Sequence, residues 1–123
     1  MTKHVAERSR TVTAGDTAAA WGAAFPPAAS TPFVLGLAEV ACHELIADRL
    51  AHGEITVGAA AEIEHLAPSA IGATLVASAR LTAESGRGLE FAVEVRDGET
   101  LVARVTHRRA RVERARIMAR LGA

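Results

Sequence analysis

One long helix with an antiparallel sheet wrapped around it, an α+β domain, is the fold class this sequence predicts, and three observations predict it. Only the segment from Pro32 to Leu50 keeps apolar residues at helical spacing over a long run. Beyond it the hydrophobic period switches to two through four successive segments. The last three of those segments are joined by turns such as Ser85-Gly86-Arg87-Gly88 and Asp97-Gly98, chemistry that connects antiparallel neighbours. At 123 residues, 50% hydrophobic and 23% charged, the chain suits one domain over 1–123 with a core of its own, and excludes a disordered or fibrous protein.

The elements follow in order. Glu7 to Thr13 is a short, polar-rich strand. Residues 14–30, with Gly15, Gly22, Pro26 and Pro27, form a lid-like loop in which Thr17–Trp21 has the alanines for a helical turn. Thr31 can cap the helix and Pro32 suits its first position, where a missing N–H is no loss. Phe33, Leu37, Val40, Ala41 and Leu45 then recur along a helix roughly 28 Å long, which Gly53 ends. Thr56 to Leu66 alternates, with Val57, Ala59, Ala61, Ile63 and His65 expected on one face. Leu75, Ala77, Ala79 and Leu81 point inward from the next strand, and Leu89, Phe91, Val93 and Val95 from the one after. The last strand runs from Thr100 to Val112, and residues 113–123 are a C-terminal tail with a short helix over 113–121. Sheet edges invite pairing, so dimerisation through the sheet is expected.

Composition narrows the function. Fourteen Lys+Arg balance fourteen Asp+Glu, and aromatics are 3%, so neither nucleic acid nor a membrane surface is an expected partner. The stretch from Arg104 to Arg120 holds seven of the fourteen cations, suited to coenzyme phosphates or to a solvated face balanced by Glu62, Glu64, Glu90 and Glu94. A single cysteine, Cys42, closes no intrachain disulfide, and the histidines have no metal-ligand spacing, so no metal is expected. No secretory signal is visible at the start and no run of about eighteen apolar residues occurs, so a cytoplasmic location is expected.

Three side chains draw attention. Glu39 lies on the helical stripe Leu35–Glu39–Cys42–Ile46, where ionisation is costly and its pKa should rise unless a partner compensates. That is an environment for a catalytic carboxylate, or for one that merely sits at a solvent seam. His65 keeps phase with the inward face of its strand; a buried imidazole needs a partner, and Glu39 is the expected one. Thr31 caps the helix or, two turns before Glu39, borders the same cavity.

The run Thr31-Pro-Phe-Val-Leu-Gly-Leu-Ala-Glu39-Val-Ala-Cys42, with His65 twenty-six residues after Glu39, resembles the fluoroacetyl-CoA thioesterase group of hotdog-fold thioesterases. Phe25-Pro26, Gly58 and Thr106-His107-Arg108-Arg109 extend the resemblance, which runs from about Phe25 to Val112. It implies a hotdog fold and a thioester hydrolase, with acyl-CoA as substrate, no cofactor beyond the substrate's own coenzyme A, and a homodimer with two sites near the subunit interface. By the same resemblance Thr31, Glu39 and His65 form the catalytic triad. Glu39 would attack the carbonyl or activate water, and His65 would shuttle the proton. Gly58 would bring backbone close to the acyl group, Phe25 would gate the pocket, and Arg109 would line it or touch substrate. The loop around Phe25 departs from the group in being alanine-rich (Ala23, Ala24, Ala28, Ala29), which favours a broader or longer acyl group, small or medium in size. Two alternatives stay open: hydrolysis or addition on a carrier-protein-bound acyl thioester, and a non-catalytic acyl-CoA-binding module.

Overall fold

The computed structural model describes residues 4–123; residues 1–3 of the expected domain lie outside the described residues. Strand β1 (Val5–Thr11) leads through the loop to helix α1 (Thr31–Ile46), and strands β2 (Glu54–His65), β3 (Thr74–Ser85), β4 (Gly88–Asp97) and β5 (Thr100–Glu113) follow, with helix α2 (Arg114–Leu121) last. The sheet is antiparallel in the order β1-β3-β4-β5-β2. Two tight hairpins join β3, β4 and β5, each with a glycine in left-handed backbone at its first turn position, Gly86 (φ 58) and Gly98 (φ 59). Side chains rarely adopt that conformation, so the glycines set where the strands reverse. Strands β1 and β2 are the two edges, and α1 lies across the inner face. This is the hotdog arrangement.

The helix buries Val34, Leu37, Ala38, Ala41, Cys42, Leu45 and Ile46 against the sheet. Alanines on both sides, Ala38 and Ala41 from α1 and Ala77 and Ala79 from β3, are fully buried, and Phe91 is the largest side chain in the core. Small residues facing one another let the helix approach the strands closely, so dispersion contacts are dense.

Three expectations need correction. Ser30, not Thr31, caps the helix: its hydroxyl accepts from Phe33 N at 3.2 Å. Thr31 is the first helical residue, and its hydroxyl is released for another partner. The helix ends at Ile46 rather than Leu50, because Ala47–Arg49 tighten into a 3-10 turn. The phase expected for β2 fails across a bulge: Gly58 pairs with Arg109 and Ala60 with Arg108, which leaves Ala59 as an extra residue. Before the bulge Thr56 and Gly58 share the inner face with Arg109, and after it Ala61, Ile63 and His65 do. Val57 and Ala59 are therefore not on that face.

Candidate active site

Thr31 enters from the first turn of α1 and His65 from the end of β2. Thr31 Oγ1 and His65 Nδ1 are 2.8 Å apart in a hydrogen bond whose proton either group can supply. The other ring nitrogen, His65 Nε2, is buried and has no hydrogen-bond partner among the described residues. A buried imidazole nitrogen without a partner is costly, and such atoms mark places where another group docks. Thr31 and His65 both line a cleft of about 320 Å³ that Ala18, Pro26 and Ala28 of the long loop help to close.

Glu39 is elsewhere. It lies eight residues beyond Thr31, roughly 12 Å along the helix axis. Its carboxylate accepts from Arg109 Nη1 at 2.7 Å, so the compensating partner is a guanidinium and not His65. The Glu39 side chain is 39% exposed, against 9% for Arg109. The expected contact between Glu39 and His65 is thus absent within one chain. Gly58 comes in under the carboxylate: a Cβ built there would lie 3.0 Å from Glu39 Oε2 and 3.5 Å from Arg109 Nη1. A side chain at that position would push the carboxylate aside, so the close approach seen at Gly58 is to Glu39, where the one expected was to the acyl group.

Arg109 is held by a network that the sequence reading missed. Its Nε donates to Thr56 Oγ1 at 2.9 Å and its Nη2 to the Thr56 carbonyl at 3.0 Å. Nη1 is also 3.1 Å from His107 Nε2, and His107 Nδ1 is 2.8 Å from the Ala60 carbonyl. Thr56 Oγ1 is 2.6 Å from His43 Nδ1. Burial lowers the pKa of both His107 and His43, and the neighbouring guanidinium acts in the same direction. Burial, with Glu39 adding to it and Arg109 opposing, pushes the Cys42 thiol up to about 12, so it is no nucleophile. One signal in the sequence pointed here: His107 and Arg109 keep the period of Val105 on β5, so the last strand carries polar groups on its inward face.

Phe25 is 55% exposed on the loop, and its neighbour Pro26, not Phe25 itself, lines the cleft. Among the described residues no group of three or more His, Cys, Asp or Glu is arranged to hold a metal ion, and no helix is long and apolar enough to cross a membrane.

Comparison with known proteins bears on what such a site is for. The family model for fluoroacetyl-CoA-specific thioesterases matches residues 12–115. The fluoroacetyl-CoA thioesterase of Streptantibioticus cattleyicolor is 36% identical over 88 residues, which are 72% of this chain and 63% of that protein. The chain therefore matches just under two thirds of that relative's length. A phenylalanine-to-alanine mutant of a fluoroacetyl-CoA-specific thioesterase, crystallised with fluoroacetate and CoA, superposes with a TM-score of 0.88 at 27% identity, over 95% of this chain and 99% of that one. A Thermus thermophilus member of the thioesterase superfamily, at 22% identity, has the same fold, with a TM-score of 0.87 over 98% of this chain and 90% of its own.

Proposed function

Because the chain belongs to the fluoroacetyl-CoA-specific thioesterase family, we propose that it is an acyl-CoA thioesterase that hydrolyses small or medium acyl groups with Thr31, Glu39 and His65. The observation that carries the reading is the Thr31–His65 pair, with the far ring nitrogen of His65 buried and unpartnered. A hydroxyl on one nitrogen orients the ring and leaves the other for the reacting groups. Glu39, fixed by Arg109 over Gly58, is the carboxylate that attacks the thioester carbonyl or takes the proton from the attacking water. If Glu39 attacks, its carboxylate displaces the thiolate and the resulting mixed anhydride is hydrolysed by water. If it acts as base, water adds to the carbonyl carbon and breaks the carbon–sulfur bond directly. On both routes the thiolate leaves with a proton supplied through His65. The products are a carboxylate and free coenzyme A thiol, and no further co-reactant is needed.

Glu39 does not reach His65 of its own chain, so the reading requires a second copy. Strand β2 is an edge whose outward hydrogen-bonding side is unpaired from Glu54 to His65. Two copies joined along that edge make one continuous sheet and bring the Thr31–His65 pair of one protomer toward Glu39 of the other. The cytoplasm, where acyl-CoA is made and used, is the location that fits. The alanine-rich loop over the cleft leaves more room than bulky side chains would, which favours an acyl group larger than fluoroacetyl.

The test is thiol release from a panel of short, halogenated, amino-substituted and longer acyl-CoAs, run beside the same acyl groups on pantetheine carrier protein. The wild type should turn over one or more coenzyme A thioesters, and Glu39→Gln and His65→Ala should each lose at least about 100-fold in kcat. Unchanged turnover in both variants would overturn the triad. Turnover of carrier-bound substrates alone would move the function to the protein carrier, and tight acyl-CoA binding without turnover would leave only a binding module.

A further inference from the structure

We propose that Thr56 and His107 are positioning residues for Glu39, acting through Arg109, which they lock into a single orientation. This rests on the thioesterase reading above and assigns the machinery behind its carboxylate.

The hydrogen bonds that Arg109 makes, and the one to the Ala60 carbonyl, have directions that chemistry dictates. A backbone carbonyl only accepts, so His107 Nδ1, 2.8 Å from the Ala60 carbonyl, carries the proton. His107 Nε2 then bears a lone pair and accepts from Arg109 Nη1 at 3.1 Å. A guanidinium only donates, so Thr56 Oγ1 accepts from Arg109 Nε, and the same hydroxyl shares a second hydrogen bond with His43 Nδ1. Arg109 has five N–H groups, and four of them are spent: one on Thr56 Oγ1, one on the Thr56 carbonyl, one on His107 and one on Glu39. The fork is therefore fixed from three sides, and the side chain is only 9% exposed. Such an arginine is poorly placed to reach out to a phosphate. What it can do is hold the one carboxylate it touches.

The bulge in β2 is part of the same device. It places Thr56 inward on one side of Ala59 and turns the Ala60 carbonyl toward His107 on the other. Without the extra residue strict alternation would put Thr56 and Ala61, the residue paired with His107, on opposite faces of the sheet. A carboxylate displaced by about 1 Å from its productive position can cost on the order of 100-fold in rate, so anchoring at this remove has consequences for turnover.

The experiment uses the full chain and the acyl-CoA that the wild type turns over fastest. Thr56→Val keeps the shape and removes the acceptor for Arg109 Nε. It should lower kcat by roughly 10- to 100-fold with KM changed by no more than about twofold. Thr56→Ser, which restores the hydroxyl, should recover most of the loss. His107→Phe should reproduce the kcat defect, and His107→Gln, which can donate to Ala60 and accept from Arg109, should relieve it. The arginine Nε–H resonance of Arg109 reads the lock without turnover: slow to exchange with water in the wild type, it should exchange freely in Thr56→Val. A Thr56→Val enzyme with wild-type kcat, a rise confined to KM, or equal losses in Thr56→Val and Thr56→Ser would overturn the proposal. If Thr56→Val does not fold, the His107 pair decides by the same criteria. Glu39→Gln separates the two levels: if it is inactive while Thr56→Val is not impaired, positioning falls and the catalytic role of Glu39 stands; if Glu39→Gln is fully active, the catalytic role of Glu39 falls and positioning for turnover falls with it, while the Arg109 resonance still decides the lock.

Discussion

His107 illustrates what a single buried polar side chain demands of its surroundings. It is 2% exposed, sits 3.9 Å from the Glu39 carboxylate, and yet offers Arg109 a lone pair rather than a second positive charge. Burial holds its pKa below the usual 6.5, and the guanidinium adds to that, while Glu39 and the Ala60 carbonyl pull the other way. The consequence for stability follows from linkage. Between the folded value and 6.5 the unfolded chain binds a proton that the folded chain refuses, so stability rises with pH across that window. Above about 6.5 the histidine costs nothing; below, the penalty grows as pH falls and levels off once the folded value is passed. Denaturant titrations should therefore show the folding free energy declining as pH drops below 6.5. The decline should be shallower in His107→Gln, which does not titrate. His43, also held low by burial, contributes in the same window and keeps the variant from being flat. An identical slope in wild type and His107→Gln would mean that His107 protonates as easily folded as unfolded.

At the scale of elements, the start of α1 separates a stabilising residue from a functional one. Ser30 accepts from Phe33 N and satisfies a helix end; Thr31, one residue on, turns its hydroxyl to His65. Ser30→Ala should cost about 1 kcal/mol of stability, read as a lower melting temperature. Thr31→Val should leave the melting temperature close to wild type and impair turnover. The reverse pattern in thermal melts and kcat would restore Thr31 as the cap. Both residues are cap formers by type, and their order along the chain does not say which one does it, which is why the sequence pointed to the wrong one. The same limit applied to β2. Alternation from Val57 to His65 reads as one unbroken face, because a bulge adds a residue without any turn signal of its own. Only Gly58 hinted at it, and a glycine inside a strand is equally a sign of close approach. The hairpins and the helix were legible because their chemistry is local: Gly86 and Gly98 take a backbone that other residues avoid, and the helical apolar period repeats several times. The Arg109 network was not, since Thr56, His107 and Glu39 lie on three different elements and their meeting depends on strand register.

For the whole molecule, the separation of Glu39 from the Thr31–His65 pair is the most consequential fact. One chain carries both halves of the proposed site but holds them apart, and it presents β2 as an open edge. Exposed edge strands of twelve residues are unusual in a protein that stays monomeric, because each unpaired N–H and C=O is a template for another strand. A twofold pairing of the β2 edges would use each half-site twice and give two sites per dimer. That arrangement has a signature no single-chain site can produce. Glu39→Gln and His65→Ala are each expected to be inactive alone. Unfolded together and refolded as a mixture, they would pair at random, and half of the dimers would carry one chain of each. In those dimers one site receives an intact Thr31–His65 pair from the Glu39→Gln chain and an intact carboxylate from the His65→Ala chain, and the other site lacks both. The mixture should recover about a quarter of wild-type turnover, with sedimentation giving a dimer throughout. If both variants sediment as dimers and the mixture stays inactive, the site shared between two chains falls.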